Sequence, residues 1–249
     1  MIIIKNDKEI DLMRIAGRIV AETLLLVEKK VKPGITTAEL DRIAEEFITK
    51  HGAIPSFKGL YGFPASLCIS VNEQVVHGIP GGYVLKEGDI ISVDCGANIN
   101  GFHGDAARTF AVGDISEEAN KLIKVTEESF FKGLEFAKVG NRLTDISHEI
   151  QRYVEASGFS VVRDFVGHGI GRDLHEDPEV PNFGRPGRGP KLVAGMTLAI
   201  EPMVNIGTYR VATLGDDWTV VSADKSLSAH YENTVVILPD GPEILTLIK

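Results

Sequence analysis

Acidic and imidazole side chains set among apolar strands carry the chemistry this chain could do. Asp94 and Asp105 lie on either side of Asn100-Gly101, a dipeptide that favours a two-residue hairpin loop because both positions accept positive φ. Ile90 to Val93 and Thr109 to Val112 are strand-like on either side. With Asn100 and Gly101 as the loop, Asp94 faces Ala107 and Asp105 faces Gly96. The two carboxyls are then diagonal neighbours on one face, close enough to share an ion. Without a cation between them they would raise each other's pKa. On this stretch alone a plainer reading stands beside that one: one aspartate buried at a turn, the other in solvent.

The same signals return further along, in the same order. Lys32-x-Gly34 opens a block that ends at Gly52, and Lys138-x-Gly140 opens a block of equal length that ends at Gly158. Val75-Val-His-Gly-Ile is matched by Val166-Gly-His-Gly-Ile, and Glu87-Gly-Asp-Ile-Ile-Ser-Val-Asp94 by Ala194-Gly-Met-Thr-Leu-Ala-Ile-Glu201. Asp105-Ala-Ala-Arg-Thr109 has a looser echo in Glu232-Asn-Thr234. Chance similarity among helix stops and strand starts is the alternative, and the ordered series makes it a poor one. We expect a single α+β domain over 1–249, with pseudo-repeats of roughly 8–112 and 116–238. Acidic strands from both halves would form a central antiparallel sheet, with helices packed on its outside.

Pseudo-symmetry sets Asp94 and Asp105 against Glu201 and Glu232, with His168 in a glycine-rich turn just ahead of the second half's strands. Four carboxylates and an imidazole make a hard, oxygen-rich donor set. It suits two divalent ions such as Mn, Fe(II) or Co better than a structural zinc, which would want thiolates. Buried without metal, such a cluster carries a heavy electrostatic cost. Two ions offset the charge and leave a water that can ionise near neutral pH.

Those side chains need a frame. Met13, Ala16, Val20, Leu24, Val27 and Val31 keep helical spacing, which predicts a helix from Lys8 to about Lys30, ended by Pro33-Gly34. Thr36-Thr-Ala-Glu39 is a capping box for a second helix that Gly52 stops. Pro55 to Pro64 reads as a loop, Leu67 to Val71 as a strand, and Val75 to Pro80 as a strand running into a turn. Ser116 caps a helix to about Ala137, and another runs from about Thr144 to Ser157. Phe159 to Val162 is a strand, and Gly167 to Pro190 is rich in glycine and proline. Thr197 to Val204, Tyr209 to Leu214, Trp218 to Val221 and Tyr231 to Leu238 read as strands.

Composition bounds the reading. With 249 residues, 43% hydrophobic and 24% charged, the chain has the make-up of an ordinary globular protein. A net charge of -9 argues against a dedicated nucleic-acid binder. Cys68 and Cys95 form no CxxC site and no disulfide framework, so a reducing cytoplasm is expected. The N-terminal apolar run is too short for a signal peptide, and no run is long enough for a membrane helix.

Five motifs sharpen the picture. They are Asn72-Glu-Gln-Val-Val-His77-Gly-Ile-Pro; Ser92-Val-Asp94 with Gly104-Asp105-Ala-Ala-Arg-Thr; Gly167-His168-Gly-Ile-Gly-Arg-Asp-Leu-His175-Glu-Asp-Pro; Ala199-Ile-Glu201-Pro; and Tyr231-Glu232-Asn-Thr. In these the chain resembles the type I methionine aminopeptidases, metallopeptidases of the pita-bread fold, over essentially its full length. The resemblance implies that Asp94, Asp105, His168, Glu201 and Glu232 ligate two divalent ions (Co, Mn, Fe(II) or Zn), with Asp105 and Glu232 bridging them. It implies that Glu201 relays a proton from water and that His77 and His175 contact the scissile amide. Amide hydrolysis needs a nucleophile, a carbonyl polariser and a proton for the leaving nitrogen, and these groups would cover all three.

It further implies removal of N-terminal methionine from nascent polypeptides and peptides when the second residue is small. The partners would be nascent chains and the ribosome, and the working form a monomer. The implied methionine pocket comprises Phe57, Leu60, Phe63, Cys68, Leu174 and Trp218, with Leu60 and Leu174 aliphatic where the family often has aromatics. A monovalent cation is implied near Asn72 and Ser228, although Asn72 is on the plainer reading a turn residue. His51, His103 and His148 read as structural.

Prolidase-like peptidases resemble the chain around the metal but carry an extra N-terminal domain, whereas two helices and a loop account for the stretch before Asn72 here. The stretch 169–200 leaves no room for the inserted subdomain of the type II enzymes. A binding module that has lost catalysis would be expected to lack some of the five ligands or the two histidines.

Overall fold

The computed structural model describes residues 1–248. In the first half, α1 (Asp7–Glu28) and α2 (Thr37–Lys50) precede β1 (Ile54–Pro55), β2 (Leu67–Val71), β3 (Gln74–Val76), β4 (Ile90–Ile99) and β5 (Phe102–Ala111). In the second, α3 (Glu117–Leu134) and α4 (Leu143–Ala156) precede β6 (Ser160–Val161), β7 (Gly167–Gly169), β8 (Glu176–Val180), β9 (Thr197–Ile200) and β10 (Met203–Asn205). The chain then forms β11 (Val211–Thr213), β12 (Val220–Ser222), β13 (Ser228–His230), β14 (Asn233–Leu238) and β15 (Gly241–Ile244).

Local chemistry sets the helices. Asn6 and Glu9 form a capping box on α1, and Thr36 and Glu39 form one on α2. Met13, Ala16, Val20, Leu24 and Val27 of α1 are buried. The helix lies directly on β5: a Cβ at Gly104 would fall 2.7 Å from the Gly17 nitrogen, so only glycine allows this approach. Gly133 does the same for α3 on α4, where a Cβ would fall 2.7 Å from Ile150 Cγ1.

Two sheets carry the site. β4 is flanked by β5 and β2, and β1 pairs with its far end; the second sheet runs β15-β14-β9-β7-β8. All the pairings in both are antiparallel. The sheets meet at Ala107 and Glu232, whose backbones exchange hydrogen bonds of 3.0 and 3.3 Å. Thr234 Oγ1 strengthens the seam, accepting from the Asp105 N–H and donating to its carbonyl, each at 2.9 Å. Alternation does the rest. Val93 and Cys95 enter the core under α1, and Asp94 between them points to the other side.

Several strands differ from expectation. The run Thr197 to Val204 is broken into β9 and β10, which belong to different sheets. Pro202 has no N–H to continue a ladder. Tyr231 and Glu232 lie between β13 and β14 rather than inside one strand. His168 sits in β7, not in a turn, paired with Ala199 on one side and Glu179 on the other. The glycines around it serve close packing: a Cβ at Gly167 would lie 2.3 Å from the Ala199 carbonyl oxygen, and one at Gly169 2.1 Å from that of Asp177. β8 and β15 also lie outside the expected strands, and Trp218 falls in the turn before β12.

Candidate metal centre

The inner faces of the two sheets bound a cavity of about 570 Å³. Asp94, Asp105, His168, Glu201 and Glu232 all line it, with His77 and His175. Asp94 comes from β4 and Asp105 from β5, in the register the hairpin requires: Asp94 opposite Ala107, Asp105 opposite Gly96. The loop has Asn100 and Gly101 at φ 56 and 77. Glu201 comes just after β9 and Glu232 just before β14, where Ile200 pairs with Asn233. The pair therefore closes the mouth of that ladder, and the Tyr231 N–H donates to the Pro202 carbonyl at 3.1 Å. The first pair is thus diagonal within one hairpin, and the second flanks the last pair of a ladder.

Distances are those of a ligand cluster. His168 Nε2 lies 3.6 Å from Glu201 Oε1 and 3.9 Å from Asp105 Oδ2. Donor atoms of Asp105, His168 and Glu232 all lie within 4.8 Å of one another, as do those of Glu201, His230 and Glu232. Asp94 joins them from the neighbouring strand, lining the same cavity one diagonal step from Asp105. His168 Nδ1 lies 2.9 Å from the Gly169 carbonyl, which can only accept. The ring proton therefore sits on Nδ1, and the Nε2 lone pair faces the carboxyls.

Electrostatically the cluster lacks positive charge. Burial, with the nearby Glu201 charge, pushes Asp94 up to about 7, and burial pushes Glu201 up to about 8. Burial and then neighbouring carboxylates hold Asp105 and Glu232 well above the usual range. Burial lowers His77, His168 and His230 to about 4. Asp94 Oδ1, Asp105 Oδ1 and Glu232 Oε1 are buried with no hydrogen-bond partner, an arrangement rare in folded proteins without a reason. Orphaned hard oxygens beside a lone-pair imidazole fit divalent cations.

His77 leaves β3 at φ 59 and meets Phe165 edge-on with centroids 5.5 Å apart. Gly78 is required behind it, since a Cβ there would lie 2.2 Å from the Ile69 carbonyl oxygen. His175 is exposed at the rim, edge-on to His168 at 4.5 Å and stacked with Tyr61 at 6.4 Å. A buried Lys5–Glu176 ion pair ties its segment to the N-terminal stretch. Phe57, Leu60, Phe63, Cys68, Leu174 and Trp218 line the apolar wall, with Phe63 edge-on to Trp218 at 5.1 Å. Cys68 pairs with Asp94 across the sheet, so pocket and acids share a ladder. Asn72 and Ser228 are brought together by a 2.9 Å bond from the Ser228 N–H to the Asn72 carbonyl.

His51, His103 and His148 hydrogen-bond to Phe47, Ser56 and Gly184 respectively, away from the cavity lining. Sequence reasoning missed His230, Tyr61, Phe165 and Asn182. Asn182 Nδ2 holds the Glu201 carbonyl at 2.8 Å. His230 was the legible one of these, two residues ahead of Glu232 in an extended stretch.

The comparisons agree with this geometry. The model of metallopeptidase family M24 matches residues 11–239. A methionine aminopeptidase of Clostridium perfringens is 79% identical over 249 residues, covering 100% of both chains. The crystal structure of a methionine aminopeptidase from Thermotoga maritima superposes with a TM-score of 0.98 at 49% identity, covering 100% of both chains. A prolidase from Pyrococcus furiosus shares the fold, with a TM-score of 0.82 at 22% identity over 99% of this chain and 66% of its own.

Proposed function

The chain belongs to metallopeptidase family M24, and from that premise we propose that it is a type I methionine aminopeptidase, hydrolysing the first peptide bond after an N-terminal methionine. The observation that carries the reading is the set of buried, unpartnered carboxylate oxygens at the floor of an apolar pocket. Asp94, Asp105, His168, Glu201 and Glu232 would hold two divalent ions. Such ions supply Lewis acidity and lower the pKa of water.

The rest is done by the chain's own groups. Glu201 accepts a proton from the attacking water and returns it to the leaving amine. His175, exposed at the rim, and His77, half-buried opposite, hydrogen-bond the scissile amide and hold it over the carboxyls. The six apolar wall residues take one unbranched side chain, and the rim of His77, His175 and Tyr61 confines the second residue of the substrate. We infer nascent polypeptides with N-terminal methionine as substrates, met at the ribosome in the cytoplasm by a monomer. Among the described residues no helix is long and apolar enough to cross a membrane. We also propose that the halves 8–112 and 116–238 form one catalytic domain by internal duplication.

Hydrolysis of a peptide panel tests the substrate assignment. Met-Ala-Ser, Met-Gly and Met-Ser peptides should be cleaved well, and those with Lys, Arg or Leu second poorly. Efficient cleavage of Xaa-Pro dipeptides with none of Met-Ala-Ser would transfer the chain to the prolidase branch of the fold.

A further inference from the structure

Glu201 has two carboxylate oxygens, and an imidazole stands against each. His168 Nε2 lies 3.6 Å from Oε1, and His230 Nε2 lies 3.5 Å from Oε2. The proposed function gives work only to the first. Yet His230 is 2% exposed, and its Nε2 is buried without a hydrogen-bond partner. A buried polar atom left unmade costs free energy, so its position calls for a reason.

Local structure delivers the ring firmly. His230 ends β13, two residues ahead of Glu232. Thr109 on β5 clamps its backbone on both sides: Thr109 Oγ1 donates to the His230 carbonyl at 2.9 Å and accepts from its N–H at 3.0 Å. Thr109 is held in turn by Ser92 Oγ at 2.9 Å. The ring therefore hangs from a strand pair, not from a loop.

Tautomers separate the two histidines. His168 places its proton on Nδ1, against the Gly169 carbonyl, and keeps a lone pair at Nε2. For His230 the facing carboxylate oxygens, Glu201 Oε2 and Glu232 Oε2 at 3.5 and 3.9 Å, both lie at Nε2, so the ring proton is assigned there. A nitrogen that carries its proton cannot ligate a metal.

We propose that His230 is a positioning residue: its Nε2–H donates to Glu201 Oε2 and fixes the rotation of that carboxylate, so that Oε1 stays turned toward His168. This rests on the proposed role of Glu201. An amide of similar reach could do the same work, whereas a methyl group could not.

The test compares cobalt(II)-loaded parent, His230→Ala and His230→Gln proteins. Bound cobalt, the visible absorption spectrum, and kcat and KM on Met-Ala-Ser are measured. We expect His230→Ala to lose roughly 10–100-fold, the usual scale for a group that orients a ligand, in kcat rather than KM. His230→Gln should restore most of that loss. Both variants should keep the parent's bound cobalt and band shape, because no ligand has gone. Loss of an ion or a changed spectrum in His230→Gln would make His230 a ligand and overturn the proposal. Full kcat in His230→Ala would make it packing alone, with the same result. A parent that binds no cobalt would overturn the metal reading itself, and this inference with it.

Discussion

The acid pairs of the two halves reach one cavity by different routes. Asp94 and Asp105 belong to a continuous ten-pair hairpin, β4 and β5, closed by Asn100-Gly101. Glu201 and Glu232 bracket a long excursion that contains β10 to β13 and Trp218 before the chain returns to β14. The first pair is set by neighbouring residues, and its register is dictated by the turn. The second is closed by long-range contacts: the Ala107–Glu232 seam, the Tyr231–Pro202 bond and the Asn182 amide on Glu201. The lesson is a division of labour. The local half supplies two acids and most of the apolar wall, Phe57, Leu60, Phe63 and Cys68, and the distant half adds Leu174, Trp218 and the imidazoles of His168 and His230.

Removing one acid from each half asks whether they serve one centre. Asp105→Asn and Glu232→Gln should each lower kcat/KM by on the order of 10³-fold, several kcal/mol of lost charge stabilisation. Each should also lose bound metal and the stabilisation that metal gives the folded state. Metal analysis and thermal melts with and without chelator check this. If Glu232→Gln kept both ions while Asp105→Asn lost them, the halves would not share the centre.

The echoed histidines sharpen the contrast. His77 and His168 occupy matching motifs, yet only His168 reaches the carboxyls, from a strand, while His77 sits at φ 59 beyond one. His77→Ala should lower kcat by roughly 10²–10⁴-fold, the scale of a lost acid–base or positioning group, with KM changed less. Its bound metal and melting temperature should stay near those of the parent. His168→Ala should lose metal. Equal metal loss in both variants would assign His77 to the centre as well.

A smaller effect reads the acids by pH in the chelated protein. Asp94 moves from 3.8 to about 7 and Glu201 from 4.5 to about 8, both through burial first. Between those limits the folded state keeps protons that the unfolded state has released, so stability falls as pH rises. His77, His168 and His230, lowered by desolvation from 6.5 to about 4, act in the opposite direction, but only below about 6.5. From pH 6.5 to about 8 the carboxyls act alone, and the melting temperature should decline. Asp94→Asn should flatten the part near 7, and Glu201→Gln the part near 8. A melting temperature that rises across this window would contradict the burial of the acids.

Much of this could be read from residues near one another in the chain. The capping boxes at Asn6 and Thr36 involve neighbours, and so does the Asn100-Gly101 register; each appears where its chemistry puts it. That register in turn placed Asp94 and Asp105. The features that stayed hidden depend on distant partners. Gly167 and Gly169 read as turn glycines because nothing nearby shows the Ala199 and Asp177 carbonyls that press on them. The break at Pro202 needed the knowledge that β9 and β10 enter different sheets. His230 was passed over because its importance lies in Glu201 Oε2, which only the folded chain brings to 3.5 Å.

The central claim is that the cavity is a divalent-metal centre for removing N-terminal methionine. Its most direct test is a titration of the chelator-treated protein with Mn(II) or Co(II), tracking Met-Ala-Ser hydrolysis and bound ions together. The account predicts no hydrolysis without metal, onset with the first ion and no further gain once both proposed positions are filled. Full hydrolysis by the metal-free protein, or ions bound in stoichiometric amount without any hydrolysis, would contradict it.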